Sequence, residues 1–118
     1  MVDGKLLNFM NTTDVYALFG NLMDNAIESV IKEADEEKRI ISVSIKIQNH
    51  GVHIHSENYC KDEIVFSDGL PETTKEDKNY HGFGVKSIRY IVERYHGTIF
   101  MRSEKERFLT DIIFYPEK

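Results

Sequence analysis

From residue 14 to about residue 34 the apolar positions fall at helical spacing. Val15, Leu18, Phe19, Leu22, Ala26 and Val30 line one side, broadened by Met23 and Ile27. Residues 14, 17, 21, 24, 25, 28 and 32 take the other side. Thr12 or Thr13 is the expected cap, and Asp14 suits a first turn, where a carboxylate meets the positive end of the helix dipole. The short apolar run before it, residues 5–10, reads as an entering strand. The run Asp35–Glu36–Glu37–Lys38 reads as a solvated turn.

Periodicity then changes from helical to alternating. Ile41, Val43, Ile45 and Ile47 interleave with Ser42, Ser44, Lys46 and Gln48, a half-buried strand. Asn49–His50–Gly51 turns the chain, and a second strand from 52 to about 57 pairs back onto the first. Residues 59–80 hold little periodicity beyond Ile64–Val65–Phe66, and a connection of this length is commonly functional. Residues 83–95 form a second amphipathic helix, with Val85, Ile88, Ile91 and Val92 on its buried side and Gly97 ending it. Strands at 98–102 and 108–115 follow, joined through Glu104–Lys105–Glu106. The economical packing is α+β, a two-layer sandwich with a mixed, mostly antiparallel sheet covered on one face by helices.

A chain of 118 residues is one domain, able to bury roughly two thirds of its unfolded surface. With 41% apolar and 30% charged residues it is an ordinary globular composition. The net charge of -5 argues against a nucleic-acid partner, whose phosphates require a basic face. A single cysteine, Cys60, excludes an internal disulfide and fits a reducing compartment. No apolar run approaches the roughly 20 residues that span a bilayer, and the first residues carry no signal peptide pattern. The expectation is a soluble domain, compatible with being one part of a larger membrane protein.

Two segments carry candidate chemistry. Asn21, Asn25, Glu28 and Lys32 share one helical face, with Asp24 at its edge. Asparagine is a poor helix former because its amide competes for backbone hydrogen bonds. Two of them one turn apart in a helix interior therefore call for a reason. An amide carbonyl is a hard oxygen ligand of the kind Mg²⁺ accepts beside phosphate and water, and Asn25 is the candidate ligand. About sixty residues later, His81–Gly82–Phe83–Gly84–Val85–Lys86–Ser87 opens the second helix. Its two glycines let backbone N–H groups approach a phosphate, the helix N-terminus adds partial positive charge, and Lys86 can add a full one. Neither GxxxxGK[ST] nor a GxGxxG after a strand is present, which disfavours a P-loop or a dinucleotide fold.

Asn21-x-x-x-Asn25-Ala26 resembles the N box of the GHKL superfamily, the Bergerat ATP-binding fold. The segment from His81 to Ile88 resembles its second glycine box. Within that superfamily the chain is most similar to the catalytic, ATP-binding domain of sensor histidine kinases, in the AgrC-like quorum-sensing branch, over about residues 14–116. The resemblance implies ATP and Mg²⁺ as cofactors, with Asn25 on the metal and Asn21 supporting phosphate or metal, these two serving as the catalytic residues. It implies phosphate contacts from the box that runs His81, Gly82, Phe83, Gly84, Val85 and Lys86. It makes residues 59–80 a lid offering Thr73, Thr74 and Lys75, and places Thr110 near the adenine. It implies a cytoplasmic module of a membrane-bound sensor. The histidine-bearing dimerisation domain and the sensor domain would lie outside residues 1–118, and a response regulator would act downstream.

The chain departs from the family in one place. The first glycine box, Asp-x-Gly-x-Gly, corresponds here to His55–Ser56–Glu57–Asn58–Tyr59–Cys60. Asn58 is the expected substitute, since its side-chain oxygen can accept the adenine amine, without charge and so more weakly. This keeps a second reading open, a degenerate GHKL module that binds nucleotide weakly or not at all and docks to a partner without kinase turnover. A third reading, an ATP-hydrolysing switch, is disfavoured. Hydrolytic relatives carry a water-activating Glu four residues before the metal Asn, and here that residue is Asn21.

The remaining candidates read as structural. His53 and His55 share the outward face of a strand with His50 nearby, and no cysteine or carboxylate converges on them in the sequence, so an exposed strand face is expected. Nothing local supports Cys60 as a nucleophile. His81 adjoins the glycines and is not expected to accept phosphate, so the acceptor histidine belongs to another segment or chain.

Overall fold

In the computed structural model, which describes residues 4–31, 33–60, 66–67, 70–71 and 83–116, two helices lie over one face of a four-stranded sheet. The first helix, α1, spans Thr12–Ile31. Its cap is Asn11, one residue earlier than expected, whose Oδ1 accepts the Asp14 N–H at 2.8 Å. The short Asn amide reaches the third helical N–H, and both threonines are left inside the first turn. Leu18, Leu22, Ala26 and Val30 recur every fourth residue and are buried. Ile27 is exposed, so the apolar stripe is narrower than the sequence predicts.

The expected entering strand is instead a 3-10 turn, Gly4–Leu7. Leu7 and Met10 are both buried, and the Met10 N–H donates to the Leu7 carbonyl at 3.0 Å. Side chains three apart share a side only when the chain coils; a strand would have split them between two faces.

Strands β1 (Ile41–Gln48) and β2 (Gly51–Tyr59) form a hairpin. A small pair, β3 (Phe66–Ser67) and β4 (Leu70–Pro71), follows. The second helix, α2, is Phe83–Arg94, and a second hairpin joins β5 (Thr98–Glu104) to β6 (Arg107–Phe114). The sheet order is β1-β2-β6-β5, and every described pairing is antiparallel, so the mixed component expected of the sheet is not seen among the described residues. Both hairpins turn on two residues of positive φ, Asn49 and His50 in one, Lys105 and Glu106 in the other. This backbone matches the right-handed twist of the strands.

The inner face of the sheet carries Val52, Ile54, Ile112 and Phe114 against Leu18, Leu22, Ile88 and Val92. Ile54 sits opposite Ile112 and Val52 opposite Phe114, so burial locks the register: a one-residue slip of either strand would turn its inward pair outward. Each fully buried aliphatic side chain contributes about 1.5–3 kcal/mol. The α+β two-layer class read from the sequence is the observed architecture.

The end of α2 differs in detail from expectation. The left-handed residue is His96 (φ 58°), whose N–H donates to the Glu93 carbonyl at 3.0 Å, while the Gly97 N–H donates to Val92 at 2.9 Å. This is the Schellman pattern of paired closing bonds. Gly97 is required for a different reason: a Cβ there would lie 2.6 Å from the Phe114 ring.

Candidate functional site

The two helices run antiparallel, pinned at one end. Asp14, in the first turn of α1, is buried and accepts the Tyr95 hydroxyl at 2.5 Å, with Arg94 Nη1 at 3.6 Å. The Tyr95 hydroxyl also accepts the Asn11 N–H at 3.1 Å. Equal lengths of chain separate Asp14 from Asn25 and Gly84 from Tyr95, so pinning these ends brings the start of α2 alongside the middle of α1.

The contact follows there. A Cβ built on Gly84 would lie 3.3 Å from Asn25 Oδ1 and 3.6 Å from Asn21 Oδ1. The two polar segments read separately in the sequence thus meet, with both amide oxygens facing bare backbone in the first turn of α2. Gly84 is buried and both asparagines are half-buried. A side chain at 84 would fill the space the amides face, and the amide carbonyls are hard donors of the kind Mg²⁺ accepts. The residues present fit a metal–phosphate group on that observation.

The other members of the box divide. Val85 turns its side chain into the core, so only its backbone remains for a ligand. Lys86 is exposed on the first turn, and Phe83 begins the helix. His81, Gly82, Thr73, Thr74 and Lys75 lie outside the described residues. So does most of the expected lid. Of its described parts, Tyr59 closes β2 and the Cys60 N–H donates to the Glu106 carbonyl at 2.8 Å. Phe66 stacks on Phe108, ring centres 6.2 Å apart and planes within 6°.

A second polar set lies on the inner face of the sheet. Along β2 the inward positions run Val52, Ile54, Ser56, Asn58, changing from apolar to polar halfway. Thr110 of β6 pairs with Ser56, so Ser56, Asn58 and Thr110 form a buried polar strip, each about 5% exposed or less. Buried polar groups are ordinarily hydrogen-bonded. The Asn58 Nδ2 donates to the Tyr59 carbonyl at 3.0 Å, which leaves its carbonyl oxygen at the opposite end of the amide. Sequence reasoning missed Ser56. The signal was available: a hydroxyl at an inward position in an alternating strand.

The outward sheet face corrects the histidine expectation. His53 and His55 are not a plain exposed face, because Asp111, directly opposite His55 on β6, stands between them. Its Oδ1 accepts from His55 Nδ1 at 2.6 Å and from His53 Nε2 at 2.8 Å. Burial pushes the Asp111 carboxyl up, but the hydrogen bonds from His55 and His53 and their charge outweigh it, and its pKa falls below the ordinary carboxylate value. His50 stays in the hairpin turn, away from this cluster. Cys60 is buried and forms no disulfide.

Residues 10–115 match the family described as the GHKL domain. The chain belongs to the GHKL family of ATP-binding domains. Among solved structures, this GHKL domain is similar to the catalytic domain of histidine kinase ThkA, with a TM-score of 0.60 and 17% identity over 88% of this chain and 67% of that one. It is also similar to the Acinetobacter baumannii histidine kinase AdeS, with a TM-score of 0.58 and 17% identity over 86% of this chain. The chain spans 45% of the length of that AdeS chain. No curated protein matches the sequence. At 17% identity these likenesses establish the fold, that of histidine kinase catalytic domains. Among the described residues no helix is long and apolar enough to cross a membrane.

Proposed function

We propose that this GHKL domain binds Mg-ATP between α1, the start of α2 and the polar strip of the sheet, and passes the γ-phosphoryl group to a histidine on a separate dimerisation domain. The observation that carries the reading is the convergence of Asn21 and Asn25 on Gly84. In this reading Asn25 Oδ1 holds Mg²⁺ and Asn21 supports the phosphates or the metal. The backbone N–H groups from Gly82 to Val85, at the positive end of α2, hold the phosphate oxygens, with Lys86 and the lid residues Thr73, Thr74 and Lys75 adding contacts. The magnesium ion, when bound, neutralises phosphate charge. Asn58, Ser56 and Thr110 face the base.

The transfer breaks the bond from the γ-phosphorus to the bridging oxygen and forms one from phosphorus to an imidazole nitrogen, and ADP leaves. Catalysis here is alignment and charge neutralisation. Asn21 cannot take a proton at neutral pH, which leaves water poorly activated and favours the imidazole acceptor. The fold shared with ThkA and AdeS, each named a histidine kinase, supports the class. The missing Asp-x-Gly-x-Gly fits the AgrC-like branch, a cytoplasmic module of a membrane sensor with a response regulator downstream. The same departure favours a second reading, a docking module without turnover.

Calorimetry separates the two. ATP with Mg²⁺ is expected to bind the wild-type chain, and Asn25→Ala to lose Mg²⁺-dependent binding while keeping its circular dichroism. No binding to the wild-type chain overturns the kinase reading, and unchanged affinity in Asn25→Ala removes the metal role.

A further inference from the structure

We propose that His53, His55 and Asp111 form a second metal site, for a borderline divalent transition ion best matched by Zn²⁺, on the sheet face turned away from the helices. The three side chains offer ligand atoms all within 4.8 Å of one another. They stand on paired strands, His55 directly opposite Asp111 and His53 two positions along the same face. The apolar inner face fixes that register, so the three are presented together by the fold and not by a loop.

Without the ion, Asp111 Oδ1 accepts from both rings, at 2.6 and 2.8 Å. Bonds of about 2.0–2.1 Å to Zn²⁺ set tetrahedral ligand atoms about 3.3 Å apart. The bonded pairs must therefore open by roughly half an ångström as the proton on each coordinating nitrogen shifts to the other nitrogen of its neutral ring and the ion takes its place. The side chains can move that far. They are 18%, 23% and 14% exposed in the order His53, His55, Asp111, so each retains contact with solvent, and water is the expected fourth ligand. His53 Nδ1 has no hydrogen-bond partner among the described residues, so the ring turns without breaking a bond on its far side.

His55 and Asp111 also have outer partners. Glu57 Oε1 lies 3.5 Å from His55 Nε2, positioned to orient the ring through the nitrogen that does not bind metal. Arg102 Nη1 lies 3.4 Å from the second Asp111 oxygen, which turns the first toward the histidines. Such carboxylate–histidine–metal arrangements raise ligand basicity and fix the tautomer. Two imidazoles and a carboxylate favour Zn²⁺, Co²⁺ or Ni²⁺ over Mg²⁺, so the site differs in chemistry from the amide cradle on the other side of the sheet.

The test uses the tag-free chain without nucleotide, which keeps it independent of the ATP reading. Co²⁺ is expected to give visible ligand-field absorption that Zn²⁺ displaces and Mg²⁺ does not. Zn²⁺ is expected to raise Tm reversibly to chelator. Asp111→Ala and His55→Ala should lose both signals, and Glu57→Gln should weaken Zn²⁺ binding about tenfold, as the loss of an outer partner does. Absence of Co²⁺ bands in the wild-type chain, which does not depend on any variant folding, overturns the site. So does Zn²⁺ binding that is undiminished in Asp111→Ala.

Discussion

Gly84 is the residue on which the site can be tested most sharply, because stability and function should part there. It lies in the first turn of α2, where replacing Gly by Ala ordinarily stabilises a helix by about 0.5–1 kcal/mol. The added methyl would lie 3.3 Å from Asn25 Oδ1, close enough to push the amide aside. Gly84→Ala is expected to keep or raise Tm while lowering Mg-ATP affinity tenfold or more, read by melting and calorimetry. A variant that loses stability and keeps affinity would place the glycine's role in packing. Asn58 gives the complementary case. Asn58→Asp sets a carboxylate against the Tyr59 carbonyl that now accepts the amide, so the nucleotide-free variant should be less stable by about 1–3 kcal/mol. ATP should then restore more stability in the variant than in wild type, because a charged acceptor binds an amine more strongly. An equal or smaller gain with ATP removes Asn58 from the base. At this scale the asparagine pair was legible because both members lie one turn apart on one helix. Asp111 was not, since His55 and Asp111 meet only through the β2–β6 register, which joins residues 56 apart in the chain.

Elements were legible where a period repeats and less so at their ends. Alternation marked β1, the turn after it marked β2, and helical spacing marked α1. The ends depend on single hydrogen bonds that no periodicity reports, such as Asn11 to Asp14. The first segment misled for a related reason: four apolar residues, Leu6, Leu7, Phe9 and Met10, are too few to tell a period of two from a period of three. The close of α2 turns this into a measurement. His96 carries the positive φ and Gly97 the close approach to Phe114. His96→Gly should therefore stabilise the chain by about 0.5–1 kcal/mol, by relieving a backbone that glycine adopts freely. Gly97→Ala should cost about 1–3 kcal/mol through overpacking. Urea unfolding of both variants decides the assignment, and the opposite ranking would return the conformational role to Gly97.

Over the whole molecule, the sheet separates two chemistries. The inner face and the helices hold the amide cradle and the polar strip, and the outer face holds the histidine–aspartate cluster. That division bears on where phosphate can go. His53 and His55 lie beyond the sheet, and His50 lies in the β1–β2 turn. His96 follows the far end of α2, a helix of 12 residues, which at about 1.5 Å per residue sets it roughly 18 Å from the turn that holds Gly84. A phosphorus–nitrogen bond forms only when the imidazole comes within about 3–3.5 Å of the γ-phosphorus, in line with the departing oxygen. His53 and His55 cannot reach that geometry without unfolding β2, and His50 and His96 are held by the β1–β2 turn and by the close of α2, so none of the four is expected to meet the γ-phosphorus. His81, outside the described residues, adjoins the glycines in sequence and is assigned no acceptor role. The isolated chain incubated with γ-labelled ATP and Mg²⁺ is therefore expected to show no acid-labile, alkali-stable label on any of its five histidines. Asn25→Ala serves as the blank. Label on His50, His53, His55 or His96 would mean that the cradle does not hold the triphosphate where Asn25 and Gly84 meet. Label on His81 would make the chain its own acceptor and remove the need for a separate histidine-bearing domain.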